Sequence, residues 1–149
     1  MPWLNPYGLG LMTVILIPNL LFAIKCKDGF ENSFHNPAVE MLEQIGRFGC
    51  FGFMIFSIPG TAQGWASQSA FVLYLAADAA LAAIYCAVWA VCFRKSSLFR
   101  ALALSILPSI LFLVSAVLTR SWPLLLSALL FAPCHIWISV QNARLAKRG

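Results

Sequence analysis

Two titratable residues stand out because they sit where water is scarce. Asp78 lies deep inside one long apolar stretch of this sequence, and His135 follows Pro133 and Cys134 inside another. An ionised carboxylate in the interior of a bilayer is costly, so it must be protonated, paired or facing a wet cavity, and such a residue marks a functional site by default. Counted from the outer ends of their segments at 1.5 Å per residue, Asp78 lies roughly 14 Å deep and His135 about 6 Å deeper. An Asp78–His135 pair bridged by Asn19 or water therefore fits in depth, and an imidazole in such a pair can relay protons. The plainer alternatives are a neutral Asp78 hydrogen-bonding across helices and a His135 packed against a neighbouring carbonyl.

Prolines supply a second kind of site. Pro18-Asn19, Pro108-Ser109 and Pro133-Cys134-His135 each place a polar residue close behind a proline near mid-segment. Each ring removes the hydrogen bond to the residue four back, which frees the carbonyls of Val14, Leu104 and Leu129. Broken helices in transporters use such carbonyls to coordinate ions, although many transmembrane prolines only kink the chain. Asp78, His135, Asn19, Ser109 and Tyr85 are accordingly the candidates for a substrate or ion site, Tyr85 because it shares a helix side with Asp78.

Glu40, Glu43, Gln44 and Arg47 form a separate polar cluster, on one helix face by their spacing of three and four. Glu43 and Arg47 make a favourable pair at that spacing. This reads as a cytoplasmic interfacial collar, or as a site near a lipid headgroup. Gly46, Gly49 and Gly52 on the same helix would let another backbone come close. The sequence carries no HExxH, GxSxG, P-loop or GxGxxG, and Cys26, Glu31, His35 and Glu40 lack the spacing of metal ligands. Neither a metal nor a cofactor is expected.

The segments that carry these residues must be membrane helices. Hydrophobic residues make up 61% of the chain and charged residues 10%, with a mean hydropathy of +0.84, far from the soluble average. The net charge of +5 comes from short basic clusters between apolar runs, the pattern that sets membrane topology, so the expected partner is the lipid bilayer and not nucleic acid. The five cysteines include no CxxC and read as free thiols. The first apolar stretch lacks the basic start and small-residue cleavage site of a signal peptide and is expected to stay.

A span needs about 20 apolar residues. Segments 8–24, 69–93, 98–118 and 122–140 come close to or exceed that; 41–59 qualifies only if Glu43 and Arg47 reach back to the interface. If 41–59 spans, all ten basic residues except Arg120 face one side; if it does not, six of the ten fall on the other. The positive-inside rule favours the former. Trp3, Tyr7, Trp65 and Trp122 then fall at the outer ends, and Trp89 and Trp137 near the inner ends, as interfacial aromatics should. The expected fold is an all-α integral membrane protein. It is a single bundle over residues 1–149 of five transmembrane helices, with the N-terminus outside, the C-terminus cytoplasmic and no soluble domain. Its place is the cell membrane, as a multi-pass protein. Asp28-Gly29 reads as a turn in the first loop, and Asn36-Pro37 as the N-cap and first residue of the second helix.

Two patterns bear on packing. Ala76, Ala80, Ala83 and Ala87 form a stripe suited to close helix packing, which with Asp78, Ala82, Tyr85 and Trp89 on the other side predicts a central third helix. Residues 16–22 and 106–112 share a proline-centred pattern and would run in opposite directions, as an inverted repeat does. The expected function is a carrier or channel for a small solute or ion, working as a homo-oligomer because five helices enclose only a narrow path. The alternatives are an embedded enzyme acting on a lipid or isoprenoid, with Asp78 and His135 as acid and base, and a non-catalytic subunit or hydrophobic-ligand-binding protein.

Overall fold

The computed structural model describes residues 3–26, 33–94 and 97–146. Five α-helices follow in chain order: α1 Pro6–Lys25, α2 Pro37–Ile55, α3 Gln68–Cys92, α4 Leu98–Leu118 and α5 Trp122–Leu145. By length and composition α1, α3, α4 and α5 can each cross a membrane; α2, with Glu40, Glu43 and Arg47 among its 19 residues, is not marked by composition alone. The Asp28-Gly29 turn, Glu31 and the basic residues Lys27, Lys95, Lys147 and Arg148 lie outside the described residues.

Local chemistry starts the helices. Pro6, Pro37 and Pro123 occupy the first or second helical position, where a missing N–H costs nothing. The Ser67 and Ser97 hydroxyls accept from the N–H groups of Ala70 and Arg100 at 3.1 Å each. Asn36 caps α2 by accepting from Val39 N–H at 3.3 Å, while Glu40 Oε1 accepts from Asn36 N–H at 3.2 Å. Each side chain thereby satisfies a backbone donor left over at the helix start. At the other end of α3, Arg100 Nη1 donates to Cys92 O and Phe93 O at 3.5 and 3.4 Å, a cation on exposed terminal carbonyls.

Two boundaries differ from the hydropathy pattern. α2 begins at Pro37 instead of Met41 and ends at Ile55 instead of Pro59. The Asn36 cap sets the start. Beyond Ile55 the chain turns extended at Phe56 and pairs with the N-terminal segment: Asn5 N–H donates to Ile55 O at 2.7 Å and Ser57 N–H to Trp3 O at 2.8 Å. α5 continues past Val140 to Leu145, because the end of an apolar run is not the end of a helix.

Packing neighbours run α1, α3, α4, α5, α2 and back to α1, with α2 also touching α4, so the helices close into a ring. Its core includes Met12, Ile15, Tyr74, Leu111, Phe112 and Phe131. At the end that carries the N-terminus, Asn5 Nδ2 donates to Met54 O at 3.3 Å and to the Tyr74 hydroxyl at 3.1 Å, joining α1, α2 and α3. At the same end the segment before α3 clasps the α4–α5 turn through Gly64 N–H to Thr119 O at 3.0 Å and Trp122 N–H to Thr61 O at 3.2 Å. α2 and α5 come close at two of the three expected glycines: a Cβ on Gly46 would meet the Phe131 backbone N at 2.7 Å, and one on Gly49 would strike Ser127, whereas Gly52 has nothing within 4 Å. All five cysteines are free.

The alanine stripe of α3 does not pack. Tyr74, Asp78, Ala82, Tyr85 and Trp89 are buried, while Ala76, Ala80, Ala83 and Ala87 are exposed. α3 touches α1 and α4 along one face and is a member of the ring, not its centre. The buried side carries the aromatic bulk and the polar atoms, which gain most from partners inside the protein; alanine methyls facing outward give up little.

Candidate functional site

The ring is not filled at the end opposite the N-terminus. A cavity of about 990 Å³ opens there, lined by residues of all five helices. It is at the upper end of the roughly 300–1,000 Å³ typical of ligand pockets. Its walls are largely apolar, with Leu16, Leu20, Phe51, Phe112, Phe131 and Ile138 among them. Leu16 and Leu20 of α1 and Met41 and Gln44 of α2 line the cavity and are also exposed, so it opens sideways between α1 and α2.

α2 and α5 bring the charged group of the site together. Glu43 is 2% exposed. Its Oε1 accepts from Arg47 Nε at 3.0 Å and Nη2 at 2.5 Å, and lies 2.9 Å from His135 Nδ1. The imidazole stacks on Phe131, ring centres 4.5 Å apart, which fixes its plane against the cavity wall. A carboxylate only accepts hydrogen bonds, so Nδ1 carries the proton given to Glu43, and Nε2 is the nitrogen left for a ligand. Glu40 and Gln44 line the same cavity. The collar and the histidine, expected at different depths, thus form one site. The packing of α2 on α5 is what merges them; Glu43 lies six residues inside its helix, roughly 9 Å along the axis.

Across the cavity, α1 and α3 supply a neutral pair. Asn19 Nδ2 and Oδ1 lie 2.7 and 3.0 Å from the Tyr85 hydroxyl, and both residues line the cavity. Asn19 Nδ2 also donates to Ile15 O at 2.9 Å, and the Cys86 thiol donates to Val14 O at 3.9 Å. The carbonyls around the Pro18 break are thereby satisfied within the protein instead of waiting for an ion.

Asp78 and Ser109 are elsewhere. Asp78 is fully buried between α3 and α4, where Ser115 Oγ donates to its Oδ2 at 2.5 Å; its Oδ1 has no hydrogen-bond partner among the described residues. It does not line the cavity, so the expected Asp78–His135 pair is not formed: each has a different partner. The Ser109 hydroxyl donates to Ser105 O at 2.7 Å, the back-bond to the preceding turn that serine makes in membrane helices. Asp78→Asn is expected to keep melting within about 1 kcal/mol of wild type, since an amide can still accept from Ser115 and interhelical bonds of this kind contribute roughly 0.6 kcal/mol on average. Ligand binding should survive too; its loss, with thermal stability intact, would return Asp78 to the site.

Sequence reasoning missed Ser115, and also Ser139 and Asn142, which line the cavity. Depth matching does not find Ser115, because it sits near the end of α4 while Asp78 lies eleven residues into α3; only the offset of the two helices brings them level. Among the described residues no three His, Cys, Asp or Glu side chains converge as metal ligands do. No protein-family model, curated protein or solved structure matches the chain, so its function rests on this geometry.

Proposed function

We propose that the chain is a five-span membrane protein, N-terminus outside and C-terminus cytoplasmic, that binds an amphiphilic small molecule drawn from the cytoplasmic leaflet. The cavity carries this reading: it joins an apolar wall to the Glu43–Arg47–His135 cluster and opens sideways between α1 and α2. A tail would lie against Leu16, Leu20, Phe51 and Phe112, and a polar head at the cluster. A carrier would need, in addition, a path to the opposite face; binding needs the cavity alone. A lipid-directed enzyme built on Asp78 and His135 loses support, because the two residues have separate partners.

Two features support α2 as the fifth span. It packs along α5 within the ring, and Glu43 is paired with Arg47 and His135, so the helix carries no unpaired charge at that depth. A cysteine placed at exposed Ser69 in a cysteine-free background should react with a membrane-impermeant maleimide on intact cells, and one at Ser96 should not. The reverse result, or labelling of both from one side, would overturn the topology.

Binding is tested with a photoreactive long-chain amphiphile in nanodiscs. Cross-links should map to α1, α2 and α5 peptides containing Leu20, Phe51 and Phe131, and Leu20→Trp, which narrows the mouth, should reduce them. Cross-links confined to the outward face of α3, around Ala83 and Val91, would mean that the probe sees only the lipid-facing surface.

A further inference from the structure

We infer that the ligand is a weak-acid amphiphile, a long-chain carboxylic acid, whose proton passes to His135 and whose carboxylate is held by Arg47. The inference rests on the reading of the cavity as an amphiphile site and adds the chemistry of the head. Three groups meet at one oxygen: Arg47 Nε and Nη2 and His135 Nδ1 all lie within 3.0 Å of Glu43 Oε1. Arg47 cancels the charge of Glu43, so with an imidazole that carries only the Nδ1 proton the resting cluster has no net charge. Glu40 stands at the start of α2, bonded to the Asn36 N–H, where the positive helix end offsets it. Tyr85, the remaining titratable group of the cavity, is bonded to Asn19.

Burying a net charge in this setting is costly, so the favoured ligand is one whose binding keeps the sum at zero. A carboxylic acid meets that condition. It leaves the bilayer as the neutral molecule; its O–H bond breaks, an N–H bond forms on His135 Nε2, and the electron pair stays on the carboxylate. The product is two cations, His135 and Arg47, alternating with two carboxylates, Glu43 and the ligand. Arg47 Nη1, which takes no part in the bonds to Glu43, remains to donate to the ligand, and charge-assisted bonds of this kind are the strong ones. Glu43 orients the imidazole and stabilises the imidazolium, as a carboxylate does for a general-base histidine. A quaternary ammonium head would instead add an uncompensated positive charge beside Arg47. An alcohol would bind Nε2 without the proton transfer and would offer Arg47 only a neutral acceptor.

The test compares hexadecanoic acid, hexadecanol and hexadecyltrimethylammonium as competitors of the photoreactive probe, on the full chain in zwitterionic nanodiscs. The acid should compete at least about tenfold better than the other two, about 1.4 kcal/mol, and hexanoic acid, which lacks the tail, should compete poorly. His135→Gln, which removes the proton acceptor, should abolish the advantage of the acid over the alcohol. Because that variant removes a group bonded to a buried carboxylate, nitrogen-15 NMR of histidine-labelled protein carrying His35→Gln gives an independent reading. Hexadecanoic acid should convert Nε2 of His135 from an unprotonated to a protonated nitrogen, and hexadecanol should not. Equal competition by alcohol or ammonium, or an Nε2 that stays unprotonated with acid bound, overturns the acid inference and leaves the cavity reading standing. Failure of all three long-chain compounds to displace the probe overturns both.

Discussion

Gly46→Val is expected to remove most of the folded protein, whereas Gly52→Ala on the same helix should leave it as stable as wild type or slightly more so. A Cβ at Gly46 would lie 2.7 to 2.9 Å from the N, Cα and Cβ of Phe131, and a backbone cannot step aside as a side-chain tip can. Overpacking commonly costs 1–3 kcal/mol; with two further methyls against the main chain, about 3 kcal/mol or more is expected. Gly52 has open space, so alanine there only recovers helix propensity, up to about 1 kcal/mol. Thermal melting in detergent, read by loss of the monodisperse peak, separates the two variants. Equal melting would mean that α2 and α5 do not meet at Gly46, and Phe131 and His135 would lose the wall that brings them to Glu43.

Glu43→Ala should have the next largest effect, with a functional component that Gly46 does not isolate. The carboxylate holds Arg47 and His135, and its removal leaves a guanidinium and an N–H without their partner. Loss of one member of a fully buried ion pair costs 3–5 kcal/mol, but the Arg47 side chain is 36% exposed and water recovers part of that. The expected loss is therefore about 2 kcal/mol, with cross-linking by the amphiphile reduced to background. His135→Ala should cost less, and the double variant should show a coupling of about 1 kcal/mol between the two positions, the worth of one charge-assisted bond across α2 and α5. Strict additivity would mean that Glu43 and His135 do not touch in the folded protein.

Much of the architecture was legible along the chain. The α4 helix runs over the residues its apolar stretch marked, 98–118; α1 and α3 differ from their expected bounds by a residue or two; and Asn36 and Pro37 take the cap and first-turn positions read from their types. These features are local: a cap, a proline and a run of apolar residues act on their own stretch of backbone, and 1.5 Å per residue turns sequence position into depth. Even here the reading failed where the helix and the apolar run part company. Hydropathy alone marked an apolar run from 41, with Glu43 at its rim; the Asn36-Pro37 signal placed Glu43 inside the helix, and only packing on α5 brought it to His135.

Which side chains meet was decided only by tertiary structure. Around their axes α1, α3 and α5 show little contrast between apolar and polar sides, the pattern of helices long and apolar enough to cross a membrane, and the moment that orients a helix in water is missing. Rotation is then set by shape and by the few polar groups that need partners. That is why the alanines of α3 could be read as an interface and yet face outward, and why Asp78 joins Ser115 while His135 joins Glu43. Each acidic side chain took the donor that packing brought within reach, and the depth counted from sequence could not choose between them.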